Sequence, residues 1–191
     1  MRISDKPLGS YPWFLRPFFW KQKHKYGEVL RPGLLWGRVP KLFVAVASLY
    51  GVLDRRSSPL DPVLRSLVTV RISQMNWCQF CVDINSATLA KRSGSQAKVE
   101  ALESWRESNQ FDAKEKAALE YAEAMTDSTR RVTDEMVIRL REFFEDDAIV
   151  ELTGLIAFQN LSSKFNSALD VPAQGFCRLP PHGAINRSDA A

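Results

Sequence analysis

Trp77-Cys78-Gln79-Phe80-Cys81-Val82-Asp83-Ile84-Asn85 puts two cysteines three positions apart at what reads as the start of a helix. Just before it, Asp61-Pro62 opens another helix, with Asp as N-cap and Pro at the first helical position. Leu64, Leu67, Val68, Ile72 and Met75 continue that helix at helical spacing, and Asn76-Trp77 interrupts it. The cysteine helix then runs to about Lys91, and Ser93-Gly94 ends it. Two consecutive helices with a dithiol at the second one's first turn set an all-α reading.

Working outward, Pro40 to about Leu53 forms a helix whose twelve-residue apolar run, Leu42 to Leu53, is shorter than the ~20 residues of a membrane span. It is expected to be buried. Downstream, Gln96 to Arg106 is amphipathic. Asp112-Ala113-Lys114-Glu115 is a capping box for a helix to about Met125. Thr133 caps another through Phe144, with Val132 and Val137 placed as a hydrophobic staple. The last helix, from about Asp147 to Leu169, has apolar residues nearly all round, including Val150 and Leu161, and is expected to be central and buried. No strand pattern or internal repeat emerges, so the fold class is all-α with six or seven helices.

Three segments follow from this. Residues 1–41 form an aromatic arm, residues 42–170 a helical domain and residues 171–191 an irregular tail rich in Pro, Gly and small polar residues. The arm holds nine Lys/Arg against two Asp/Glu, so the chain's formal net charge of +4 is a property of the arm. Pro7, Pro12, Pro17 and Pro32 limit it to a short helix over Phe18 to Tyr26. Its aromatics must pack on something, either its own domain or a sister subunit. The interleaved basic residues also fit a nucleic-acid or membrane surface, but such runs are more often a solvated face; no nucleic-acid or membrane partner is expected. Three cysteines do not make a secreted disulfide framework, no early apolar leader is visible, and a cytoplasmic location is expected.

On the cysteine helix, Cys78, Cys81 and Asn85 share a face at i, i+3 and i+7. The unpaired N–H groups and dipole of a helix start stabilise a thiolate. A thiolate can attack a peroxide oxygen to give a sulfenic acid, which a neighbouring thiol converts to a disulfide and water. Two alternatives remain. The pair can be packing cysteines, although a helix start suggests accessible ones. It can also belong to a Cys3His zinc site, which would need Cys177 and His182 brought back from the tail.

Leu64 to Arg71, followed by Asn76 to Asn85, resembles the core signature of the AhpD-like, carboxymuconolactone decarboxylase family. Phe111 to Leu119 resembles the family's next helix pair, and Glu151-Leu152 through Asn160-Leu161 and Phe165-Asn166 its closing helix. The resemblance implies an all-helical fold, a homo-oligomer and, in the hydroperoxidase members, a second Cys that attacks the peroxide and a first that resolves it. Those are Cys81 and Cys78 here. The members' relay Glu and His fall on Ser66 and Asn85, neither of which titrates near neutrality. Asn85 can still donate a hydrogen bond, and Ser66 can hold a water. The resemblance therefore implies a thiol-dependent peroxidase of altered drive, fed by an external thiol or dithiol reductant and needing no bound cofactor. The alternatives are a helical oligomeric binding module with structural cysteines and a carboxymuconolactone decarboxylase-like enzyme. His24, reaching a neighbouring subunit's site from the arm, and Cys177, exchanging disulfides with the pair, are further candidates.

Overall fold

A computed structural model describes residues 1–177 of the chain. Among them are nine α-helices, three short 3-10 helices and no strand. The α-helices are α1 (Arg16–Tyr26), α2 (Arg31–Gly37), α3 (Pro40–Leu53), α4 (Pro62–Met75), α5 (Gln79–Ser93), α6 (Gln96–Glu100), α7 (Ala113–Thr126), α8 (Asp134–Arg141) and α9 (Asp146–Ala168). The all-α class holds, with more helices than the sequence pattern predicts. Helix α1 is the short arm helix expected over Phe18 to Tyr26, begun two residues earlier at Arg16; α2 is the addition in the arm, and prolines stand in the first turns of both. A proline there gives up only an N–H that has no helical partner, so it starts a helix instead of breaking one.

The local start signals act as read. The Asp61 carboxylate accepts the N–H groups of Val63 and Leu64 at 2.7 and 3.2 Å, and Asp112 and Glu115 close the capping box of α7. Gly94, at φ +65°, stops α5 in the left-handed conformation.

Helix α4 is the hub, packing on α5, α7 and α9. Leu67, Val68, Val70 and Ile72 are fully buried on different sides of it, and each such side chain contributes ~1.5–3 kcal/mol relative to exposure. One core joins α4, α7, α8 and α9; a second joins α4, α5, α7 and the α6 segment. The arm folds onto its own chain. Tyr11, Leu15, Phe19 and Trp36 are buried with Phe43, and the Trp36 ring stacks on Phe165 of α9 at 3.5 Å between centroids.

Two burial expectations fail. Only Phe43 and Leu53 of α3 are buried, and Leu42, Val44, Leu49, Tyr50 and Val52 face outward. Helix α9 is central, but Val150 and Leu161 are exposed. The sequence is apolar on every side of α3, whereas the protomer supplies packing on one side only.

Candidate functional site

Helix α4 ends at Asn76, whose amide donates to Asn160 and Ser163 of α9, both at 2.9 Å. Trp77 then turns the chain at φ +56°, a conformation in which a bulky side chain is strained. Its indole is left exposed beside the cysteines. Cys78 follows as the N-cap of α5, and its sulfur accepts the Cys81 N–H at 3.1 Å. One of the unpaired donors at the helix start is thus satisfied by the first cysteine. Cys78 and Cys81 are joined by a disulfide.

Both cysteines are covered, being 1% and 3% exposed, so the accessible helix start expected from sequence is not what the fold presents. The reason is long-range. Leu30 and Leu35 come from the arm, Phe165 and Leu169 from the end of α9, and Val171 and Phe176 from the segment beyond it. That segment is tied down by Asp83, which is buried on α5. The N–H groups of Gln174, Gly175 and Cys177 donate to its carboxylate at 2.8, 2.8 and 2.6 Å. Gln174 also joins the arm, accepting the Arg31 N–H at 2.9 Å. Residues 171–177 therefore form a strap across the cystine, with the Phe176 ring edge-on to Phe80 and Tyr26.

The polar groups that α4 and α9 bring to the pair are neutral. The Asn166 amide of α9 donates to Cys81 Sγ at 3.3 Å, while its Oδ1 is buried with no hydrogen-bond partner among the described residues. Asn85 turns its amide to Ser73 Oγ at 3.3 Å, and Gln159 donates to the same hydroxyl at 2.9 Å. Among the described residues, no titratable side chain hydrogen-bonds to either sulfur.

The four candidate side chains are thus distributed unevenly. Cys78 and Cys81 are bonded to each other, and Asn85 lies on the same helix with its amide engaged by α4. Ser66 lies two turns of α4 before Ser73. Its hydroxyl donates to Pro62 O at 3.0 Å and accepts from Arg92, near the far end of α5, at 3.1 Å. Ser66 and Asn85 share no hydrogen-bond partner among the described residues. His24 stacks on Trp20 on the exposed side of α1. Cys177 is a free, half-buried thiol at the strap's end. His182 lies outside the described residues, among which no group of three or more His, Cys, Asp or Glu is placed to hold a metal.

Asn166, Ser73, Gln159 and Asp83 are the site residues that spacing did not reveal. Asn166 sits 85 positions from Cys81, and no short-range pattern links them. Asp83 was at hand in the motif, but its partners come from the tail.

The sequence pattern of the carboxymuconolactone decarboxylase family matches residues 40–124. The uncharacterized protein YnjA of Escherichia coli K12 is 51% identical over 174 residues, spanning 91% of this chain and 96% of the relative. The chain belongs to the carboxymuconolactone decarboxylase family. The uncharacterized protein YdfG of Bacillus subtilis 168 is 31% identical over 115 residues, 60% of this chain and 78% of that one. Among solved structures, the AhpD-core, peroxidase-related protein of Ralstonia eutropha JMP134 superposes with a TM-score of 0.83 at 21% identity, covering 92% of this chain and 93% of its own. The debrominase Bmp8 does so with a TM-score of 0.78 at 22% identity, over 90% and 91% of the two chains. At these identities the likeness is one of fold: the family member described here has the AhpD-like helical architecture.

Proposed function

We propose that this family member is a thiol-dependent peroxidase that reduces organic hydroperoxides through Cys81 and Cys78. The observation that carries the reading is the bonded cysteine pair at the first turn of α5, with Asn166 donating to the Cys81 sulfur. In the cycle, the Cys81 thiolate attacks the terminal peroxide oxygen. The O–O bond breaks, Cys81 becomes a sulfenic acid, and the alkoxide leaves and takes a proton from water as the alcohol. The Cys78 thiol then attacks the sulfenic sulfur, forming the disulfide and releasing water. An external thiol or dithiol returns two electrons and two protons and becomes a disulfide itself. No bound cofactor enters these steps.

The thiolate must arise without the relay carboxylate and imidazole that the family resemblance puts at Ser66 and Asn85. The helix start and the Asn166 amide supply stabilisation instead. The apolar cover over the pair favours a peroxide with an organic substituent over hydrogen peroxide, and the strap must part to admit it. A reducing compartment such as the cytoplasm suits a dithiol that has to be reopened; among the described residues no helix is long and apolar enough to cross a membrane. The same reading takes the protein as a homo-oligomer. Its support is α3, which has Lys41 as its one charged residue and an outward apolar face that a second copy would cover.

A second reading is favoured by one observation: both sulfurs are buried among apolar side chains, as in a structural cystine of a helical binding module. The decarboxylase chemistry of the family name has no comparable support at this site. One experiment separates the first two readings. The reduced protein is mixed with a slight excess of cumene hydroperoxide, and intact mass and free thiols are followed. The expected result is loss of two hydrogens, with Cys78 and Cys81 linked in the peptide map. Cys78→Ser should stop at the sulfenic acid, and Cys81→Ser should not consume peroxide. Two free thiols that persist in the wild type would establish the binding-module reading.

A further inference from the structure

Asn166 is 1% exposed, on the last turn of α9, with one half of its amide on a sulfur and the other half without a hydrogen-bond partner among the described residues. A buried acceptor without a donor is uncommon and costly. It calls for a state of the protein in which a donor arrives. Opening the cystine provides one. A disulfide sulfur has no hydrogen to give and is a weak acceptor. A Cys81 thiol can donate its S–H to Oδ1 once the amide turns about its last torsion. A Cys81 thiolate instead draws a charge-assisted bond from Nδ2. The one side chain therefore serves both protonation states of the reduced sulfur and serves the oxidised sulfur poorly.

We infer that Asn166 tunes the redox couple: by binding reduced Cys81 better than disulfide-bonded Cys81, it makes the Cys78–Cys81 disulfide easier to reduce. The reaction concerned is the one in which a dithiol reductant delivers two electrons and two protons, the Cys78–Cys81 bond breaks, and the reductant leaves as its own disulfide. Asn166 acts on the Cys81 sulfur in that step, because among the described hydrogen bonds its amide contacts Cys81 and not Cys78. This assigns a regulatory role within the site proposed above, and it rests on the pair being able to open and close.

The test is an equilibrium one. Protein is held with mixtures of reduced and oxidised dithiothreitol at constant pH, quenched with an alkylating reagent and weighed. Asn166→Leu keeps the volume and removes both polar groups. It should favour the disulfide by about tenfold, or about 30 mV toward a more reducing potential for a two-electron couple. Asn166→Ser, whose hydroxyl is too short to reach the sulfur, should shift the same way and serves if the leucine variant does not fold. Thr153→Val removes a part-buried hydrogen bond to Tyr121 elsewhere on α9; its reduction equilibrium should stay within twofold of wild type. An Asn166 variant within twofold of wild type, or shifted toward easier reduction, overturns the inference. So does an equal shift in Thr153→Val. Because no peroxide is present, a shift without peroxide turnover would sink the peroxidase reading and leave this one standing. Turnover without a shift would do the reverse.

Discussion

Replacing Asp83 by alanine should open the strap. In the folded protein the carboxylate holds three backbone N–H groups of residues 174–177 at 2.6–2.8 Å. A hydrogen bond to a charged group contributes ~1.5–3 kcal/mol net, and three on one carboxylate do not add in full. Taking about 3 kcal/mol for the set gives roughly a 150-fold rise in the open population, at 1.4 kcal/mol per decade. The rest of the strap still favours closure. Gln174 keeps its bond from the Arg31 N–H, and Phe176 keeps its contacts with Phe80 and Tyr26. When opening and closing are fast relative to chemical attack, the reduction rate follows the open population. The second-order rate of cystine reduction by dithiothreitol should therefore rise by roughly 150-fold in Asp83→Ala, with the midpoint of thermal unfolding recorded to show that the rest of the fold persists. Hydrogen exchange at Gln174, Gly175 and Cys177 should quicken by a similar factor. A reduction rate within twofold of wild type, with exchange quickened as expected, would refute the reasoning: the sulfurs would then be reached by a path that the strap does not gate.

Glu123 anchors a charge cluster remote from the sulfurs. Burial pushes its carboxyl up, but hydrogen bonds from Arg106, Trp105 and Arg71 together pull it below the ordinary carboxylate value. Its contribution to stability is thus fully present above the unfolded-state value near ~4.3 and is lost as pH falls through the lower folded value. Glu123→Gln should cost about 3 kcal/mol at neutral pH and flatten the acid limb of a denaturation-versus-pH curve. An unchanged acid limb would remove Glu123 as its cause. The α3 face gives the last prediction. Leu49 and Val52 are 46% and 56% exposed. Sedimentation equilibrium should return a multiple of 21.7 kDa for the wild type, and the Leu49→Glu/Val52→Glu double variant should run at a smaller mass. A monomeric wild type would leave the apolar face without a second copy to cover it.

What was legible in the sequence is what local chemistry decides. The Asp61 N-cap, the Asp112 capping box, the Gly94 stop and the cysteine pair at the start of α5 each depend on residues within a turn or two, and each is found where the spacing puts it. Helix α2 was obscured by Pro32, and the first turn of α1 by Pro17, because a proline has the same identity whether it breaks a helix or begins one. The outward face of α3 was hidden for a related reason: an apolar run without periodicity carries no record of which side is covered. The environment of the sulfurs was beyond reach altogether, since it is assembled from residues 1–37, the end of α9 and the strap.

That long-range assembly changes how the missing relay should be viewed. In an open cleft, a thiol beside Ser66 and Asn85 would lack a titrating group to take its proton. Here Ser66 is committed to Arg92 and Asn85 to Ser73, so neither is a degraded relay waiting for a proton. The sulfur's polar partner is an uncharged amide inside an apolar cover. Burial disfavours the thiolate, while the helix start and the Asn166 N–H groups favour it. None of these opposing influences changes charge with pH. The pH dependence of peroxide reduction should then follow the ionisation of one thiol, rising in a single step, without the falling limb that a titrating relay acid would add.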